Sequence, residues 1–315
     1  MPTSDLSIVV LNYNTVSLLA RCIRSIQQYA PTAEVIVVDN ASTDQSASLV
    51  RNLFPSIKLI ENQANCGFAR GMNAGVRHAT ATALFLLNAD TELVPNTLPP
   101  LLQTFDQLPQ AGILGPAQYL PDPSGMSQTG QYLASVFPDP TLVCEFGRLV
   151  LFTDVLAAQF HRGPWRAPSS HASKQVDWLM GAALLIRRTC FDALGGFDEA
   201  QFMYGEDWDI CCRSWQAGWQ VWFVPAASII HHENAAGQEH WGTRRQAQAL
   251  EANLCFHEKH YGRTSRRWLA IFYLMGSVLR IFLLACMRLF GRSDVVPAQW
   301  QSWSEAARTA WHRLV

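Results

Sequence analysis

The stretch ALFLLNADTEL, Ala83–Leu93, is a run of five apolar residues that ends abruptly at Asn88-Ala89-Asp90. A short continuous apolar run bounded by turn-forming residues predicts a strand covered on both faces, with the Asp90 carboxylate just past its end. Three earlier runs read the same way: LSIVVLNY from Leu6, EVIVVDN from Glu34 and IKLIEN from Ile57. The segments between them, TVSLLARCIRSIQQYA, STDQSASLVRNLF and GFARGMNAGVRHAT, repeat their apolar residues at helical spacing. Strand and helix therefore alternate, which predicts an α/β chain around a largely parallel sheet. Ligands of such sheets bind beyond the carboxyl ends of the strands. That rule singles out Asn12 to Asn14, Asp39-Asn40, Asn62 and Asn88 to Asp90.

From about Pro95 the pattern loosens, and residues 120–173, rich in Pro, Gly and Ser, predict long loops with one short helix around Leu149 to Phe160. VDWLMGAALLIRR then reads as a strand, TCFDALGGF as a short helix ending in glycines, and GEDWDICCRSWQAGW as a helix with acids in its first turn. WQVWFVPAASIIHH is strand material broken at Pro225, and a helix from about Thr243 to Tyr261 closes the globular part. The tail WLAIFYLMGSVLRIFLLACM, Trp268 to Met287, is nearly long enough to span a bilayer but carries Arg280 near its middle. A central arginine costs roughly 2.5–3.5 kcal/mol on insertion scales, so a helix lying in the interface competes with a spanning one. Arg263, Arg266, Arg267, Arg288 and Arg292 would suit anionic headgroups in either case, and a helix buried on the domain or a partner subunit is the third reading.

Of the 315 residues, 49% are hydrophobic and 16% charged, an apolar balance that suggests contact with another apolar phase. The formal net charge of −1 provides no global basic field, so nucleic acid is not an expected partner. Eight cysteines are scattered with no CxxC pair, the usage of a reducing compartment. MPTSDLSIVVLNYN enters strand-like sequence with no secretory pattern, so a cytoplasmic chain is expected.

Several residues carry chemistry. Asp39 ends the second strand where a dinucleotide-binding fold places its ribose-binding acid, yet the first strand leads into LNYNTVS with no G-x-G-x-x-G. Asp39 is then free to accept the imino N–H of a uracil or thymine ring, or simply to form the turn before the next helix. NCGFARGMNAG, Asn65 to Gly75, opens a helix with glycines, which permit close approach of a diphosphate or close packing on the sheet. Asn88 and Asp90, two apart at a strand end, suit a Mg²⁺ or Mn²⁺ ion bridging phosphates, although taken alone they fit an Asx turn leading to Pro95 better. Glu206 and Asp207 complement a helix dipole, while nearby Phe197, Phe202, Tyr204 and Trp208 can desolvate a carboxylate and raise its basicity, as a general base needs. Asp209 lies further into the helix and points elsewhere. Of His231 and His232, ending an apolar strand, one can face a site, as a metal ligand or as a hydrogen-bonded surface imidazole.

In order, SIVVLNYN, VIVVDNASTD, NCGFARGMNAG, LLNADTEL, VDWLMGAALLIRR, GGFDEAQFMYGEDWDICCRSWQAGW and IIHHEN resemble glycosyltransferase family 2, in particular its rhamnosyltransferase-like branch, over roughly residues 6–260. The resemblance implies an inverting nucleotide-sugar transferase with a GT-A fold, a Rossmann-like mixed sheet flanked by helices. On this chain it implies a GT-A domain over 1–262, with a nucleotide-binding half at 1–119 and an acceptor and catalytic half at 120–262, followed by a basic, apolar membrane-associating tail at 263–315. It places Asn12, Asn14, Asp39, Asn65, Gly67, Arg70 and Asn88 beside the donor nucleotide. Asp90 takes the position of the last acid in the family's D-x-D metal motif, with Asn88 replacing the first, and His231 matches a histidine that completes the Mg²⁺ or Mn²⁺ site in some members. Asp207 matches the catalytic base, with Glu206 binding or orienting an acceptor hydroxyl. The implied partners are a dTDP- or UDP-sugar donor, a glycan or polyprenyl-linked acceptor and the cytoplasmic face of the membrane, in cell-surface polysaccharide synthesis. Two rival readings are a dinucleotide-dependent oxidoreductase and a non-catalytic sugar-nucleotide-binding protein.

Overall fold

The computed structural model describes residues 1–124, 130–153, 156, 167–168, 170–232, 245–289 and 296–314. The chain divides into two compact units, one of Met1–Pro138 with Pro164–Ala236 and one of Asp139–Gly163 with Gly237–Val315. This division differs from the expected boundary at 262, because the helix expected to close the first domain belongs to the second unit and continues past 262.

In the first unit the four apolar runs are strands β1 (Leu6–Asn12), β2 (Glu34–Asp39), β3 (Lys58–Glu61) and β4 (Ala83–Asn88), followed by the short β5 (Thr91–Leu93). They alternate with helices α1 (Val16–Tyr29), α2 (Ser46–Leu53) and α3 (Gly67–Val76). The loosened pattern after Pro95 conceals α4 (Leu98–Gln107), with proline in its first turn, and β6 (Ala111–Tyr119). Proline is tolerated there because the N–H it lacks has no partner in a helix's first turn. Short strands β7 (Tyr132–Leu133) and β8 (Val136–Phe137) follow. In the second unit α5 (Leu142–Val150) ends where the helix expected around 149–160 would begin, and 154–155 and 157–160 of that expected helix lie outside the described residues.

Back in the first unit, β9 (Lys174–Gln175) precedes β10 (Trp178–Leu179) and β11 (Ala183–Arg187). VDWLMGAALLIRR is therefore two strands separated by a turn at Gly181-Ala182. Helices α6 (Arg188–Ala193) and α7 (Glu206–Gln216) lead to β12 (Gln220–His231). Pro225 does not break this strand. The pairing with β6 shifts register between Val224 and Ser228, and that irregularity accommodates a residue that cannot donate to the ladder.

The main sheet runs β3-β2-β1-β4-β11-β6-β12-β5, with β7 on β6 and β9 on β12, while β8 and β10 form a separate pair. The β3-β2-β1-β4 half is parallel, and β11 enters antiparallel between β4 and β6, making the sheet mixed. Two cores cover it. One packs α1, α2 and α4 on one face through Leu19, Ile23, Val50, Leu101 and Phe105; the other packs α3, α6 and α7 on the opposite face through Phe68, Met72, Phe191 and Ile210. Strands buried on both faces have no polar face to alternate, which is why the sequence runs continuously apolar there. Register aligns Asn12 with Asp39, Asp39 with Glu61, and Leu11 with Asn88, so the polar strand ends share one edge.

The second unit contains α5, α8 (Arg245–Leu289) and α9 (Val296–Leu314) around Leu149, Leu250, Leu254, Leu269, Tyr273 and Ala310. Helix α8 is two helical arms meeting at Gly262, whose φ of 84° interrupts the helical backbone.

Candidate active site

At the parallel edge, Asn12 ends β1 and donates its side-chain amide to Asp39 Oδ1 at 2.8 Å and to the Ser42 hydroxyl at 3.0 Å. Asp39 Oδ2 accepts the Ser42 backbone N–H at 2.9 Å, the Asx-turn geometry expected of a helix-preceding turn. Asn14, in the left-handed region at φ 52°, accepts the Thr43 N–H at 2.8 Å. Asp39 is thus a buried organiser of the β1–α1 and β2–α2 turns, with lone pairs remaining beside those it uses. Sequence reading passed over Asp44, which accepts the Val16 N–H at 2.7 Å and so caps α1 from the neighbouring loop.

The NCGFARGMNAG segment packs against the loop before α7. The Gly67 N–H is taken by Asn65 Oδ1 at 3.0 Å and the Phe68 N–H by the Phe202 carbonyl at 2.7 Å. A Cβ on Gly67, where φ is 82°, would lie 2.2 Å from the Phe202 carbonyl oxygen, so the close approach that glycine permits is used by the chain itself. Buried Asn73 donates to the Phe197 carbonyl at 2.9 Å and to Glu199 Oε1 at 3.1 Å, and accepts the Phe197 N–H at 3.0 Å. Arg70 donates to the Glu199 carbonyl at 3.2 Å. The helix expected beside the donor diphosphate therefore grips residues 197–202, the loop that delivers Glu206 and Asp207. Gly67 and Arg70 meet that loop, while Asn65 holds the Gly67 N–H at the start of α3.

Tyr204 and Gly205, both left-handed at φ 69° and 88°, turn this loop sharply into α7. A left-handed tyrosine is a costly backbone state that persists where the surrounding structure imposes it. Glu206 is buried, and burial together with the neighbouring Asp207 charge pushes its carboxyl up to about 8. Asp207 remains partly exposed; desolvation raises its carboxyl to about 6, partly offset by hydrogen bonds from backbone N–H groups. Those donors are Gly181 N–H to Oδ2 and Trp208 N–H to Oδ1, each at 2.9 Å. Gly181 sits in the turn that splits the expected single strand, and the adjacent Ala182 carbonyl accepts the Asn88 N–H at 3.0 Å. Asp207 is thereby fastened to the same sheet edge as Asn88 and Asp90. Asp209 does point elsewhere: it is fully buried and paired with Arg213 at 2.7 Å.

Beyond β4, buried Asp90 accepts the His232 N–H on its carbonyl at 2.9 Å, and its Oδ1 lies 3.4 Å from His231 Nε2. His231 Nδ1 is 3.0 Å from Oε1 of buried Gln118 on β6. With Nδ1–H donating to that oxygen, Nε2 turns a lone pair toward Asp90. His232 faces away and meets Glu92 at 2.5 Å. A hard carboxylate and an imidazole converging at one point form a donor pair suited to Mn²⁺ or Mg²⁺, with phosphate oxygens and water to complete the shell. Among the described residues no third His, Cys, Asp or Glu joins them.

The profile of Glycosyl transferase family 2 matches residues 7–129, and that of Glycosyl transferase family group 2 matches residues 83–304. The chain is a family 2 glycosyltransferase. This glycosyltransferase is 27% identical over 285 residues to the N-acetylglucosaminyl-diphospho-decaprenol L-rhamnosyltransferase of Mycobacterium tuberculosis, a match covering 84% of the chain and 89% of that relative. It is a rhamnosyltransferase-like member of the family. Its fold is GT-A. A mannosyltransferase from Pyrobaculum calidifontis in complex with GDP-mannose and Mn²⁺ superposes with TM-score 0.57 at 17% identity, over 98% of this chain and 86% of that one. GalNAc-T7 with UDP, GalNAc and Mn²⁺ superposes with TM-score 0.59 at 17% identity, over 95% and 54% of the two chains. None of these likenesses supports the dinucleotide-dependent reading.

Proposed function

We propose that this transferase moves a sugar, rhamnose first among the candidates, from a dTDP- or UDP-linked donor to a hydroxyl of a polyprenyl-linked glycan at the cytoplasmic face of the membrane. The observation that carries the reading is the gathering of Asp207, Asn88, Asp90 and His231 at one sheet edge, in a chain that matches an N-acetylglucosaminyl-diphospho-decaprenol L-rhamnosyltransferase over most of both lengths.

The mechanism is a single displacement with inversion. Asp207 is the member of the acid pair that is partly open and ionised at neutral pH, so it takes the proton as an acceptor hydroxyl attacks the anomeric carbon from the face opposite the diphosphate. Glu206 keeps its proton under the same conditions and serves as a neutral hydrogen-bonding group that orients the acceptor. Asn12, Asn14, Asp39 and Asn88 frame the nucleotide side, with Asp39 using a remaining lone pair for the base. Asp90 and His231 would hold a Mn²⁺ or Mg²⁺ ion, which when bound stabilises negative charge on the departing diphosphate.

A thermal-shift series of nucleotide sugars with and without Mn²⁺ tests the donor side, since a ligand of the folded state raises its apparent stability. Stabilisation by dTDP-rhamnose, enhanced by Mn²⁺ and weakened in Asp90→Ala, is expected. Stabilisation by NAD and by no nucleotide sugar would overturn the reading.

A further inference from the structure

The apolar tail forms the second arm of α8, and Arg280 at its centre is accounted for inside the protein. Its guanidinium donates to the Leu149 and Arg148 carbonyls, the latter at 3.2 Å, in the last turn of α5, and to the Gly276 carbonyl at 3.2 Å. Helix-terminal carbonyls lack intrahelical partners and carry the negative end of the dipole, so they form a fitting cradle for a cation. The Phe152 and Trp303 rings lie 4.2 and 4.5 Å from the guanidinium carbon. A Cβ on Gly276 would stand 2.6 Å from the Leu149 carbonyl oxygen, so glycine at that position admits the end of α5. Carrying this arm across a bilayer would strip Arg280 of those partners or take α5, with its buried Glu145, into the lipid.

The opposite side of the same arm is apolar and exposed. Trp268, Met275, Val278 and Phe282 recur at steps of 7, 3 and 4 residues, the spacing of one helix face, with exposures of 50, 47, 57 and 62%. Arg280 lies between Val278 and Phe282 in sequence, about half a turn away on the helix. Residues 263–289 hold five arginines and no acidic residue, and of these Arg263, Arg267 and Arg288 are exposed near the two ends of the stripe. Apolar face, terminal tryptophan and flanking cations match the layered chemistry of a leaflet: acyl chain, interface, anionic phosphate.

We infer that the Trp268–Phe282 face of α8 docks in the plane of an anionic lipid surface, with Arg280 held on the protein side, and that this arm does not span. The inference rests on the membrane-borne acceptor of the proposed function, but the two fail separately, because the experiment uses vesicles without acceptor. The full chain is floated with phosphatidylcholine vesicles containing phosphatidylglycerol, then washed with alkaline carbonate. Wild-type protein should float, float less with phosphatidylcholine alone, and be released by carbonate. The double variant Val278→Glu/Phe282→Glu alters exposed positions, and should bind vesicles roughly tenfold more weakly or worse while keeping its melting temperature and donor binding. Unchanged flotation of the double variant, or retention of wild type through carbonate, would overturn the inference. So would sedimentation showing a wild-type dimer that the double variant abolishes, with vesicle binding untouched, since the face would then belong to a second copy. Failure to use a polyprenyl-linked acceptor, with flotation intact, would instead count against the proposed substrate.

Discussion

At the residue scale, the proposed chemistry depends on two adjacent carboxyls given unequal surroundings. Asp207 is partly open and receives two backbone N–H groups, whereas Glu206 is enclosed beside a second acid. Both are raised, and Glu206 more, so the pair keeps one proton near neutrality and Asp207 is the ionised member. The proposed mechanism needs Asp207 deprotonated, and its folded value lies above that of an ordinary aspartate. The acid limb of kcat/KM is therefore expected near pH 6, read from a pH–rate profile. Glu206→Gln should leave that limb in place, because glutamine resembles the neutral form Glu206 already holds. The stability consequence has the opposite sign from a salt-bridged acid. A carboxyl raised from about 4.3 to about 8 favours the folded state at low pH and loses that contribution as pH rises through the folded value. Glu206→Gln should thus change stability little near pH 4 and become progressively more stabilising toward about pH 9, as denaturant midpoints would record.

At the element scale, the sequence motifs act by interlocking. Helix α3 reads as an anion-facing glycine-rich helix, but its Gly67, Phe68 and Asn73 hold the 197–202 loop. No one-dimensional signal distinguishes these uses, because a glycine needed for close approach looks the same whether the visitor is a phosphate or a carbonyl oxygen. The turn at Gly181 was hidden for a related reason: residues 178–186 run without a polar side chain, and the break is set by β11 entering antiparallel beside β4. Strands β1, β2 and β4 were legible because burial on both faces leaves a continuous apolar signature. The Asp90 and His231 juxtaposition followed from each ending a strand, whereas Gln118, which steadies His231, lies among the apolar residues of β6. Asn73→Ala leaves the Phe197 N–H and C=O without their partner and should cost about 1–3 kcal/mol. It should also lower kcat more than donor affinity, measured by steady-state kinetics beside calorimetric donor titration.

At the scale of the whole molecule, the chain assigns its tasks to two units of different composition. The first is a mixed sheet at whose polar strand ends the proposed mechanism places donor and base, and its class was readable from the alternation of strands and helices. The second is a helical unit in which a basic, apolar helix has one face committed to α5 and α9 and another exposed. Its sequence left three readings open because hydropathy alone does not say which side of a helix its arginine occupies. The central claim, that this family 2 chain transfers sugar with Asp207 as the proton acceptor, is tested most directly by one comparison: transfer by Asp207→Asn against its affinity for the donor nucleotide. The account predicts turnover lowered by about 10²–10⁴-fold with donor affinity within a factor of about two. Near-wild-type turnover by Asp207→Asn would contradict it.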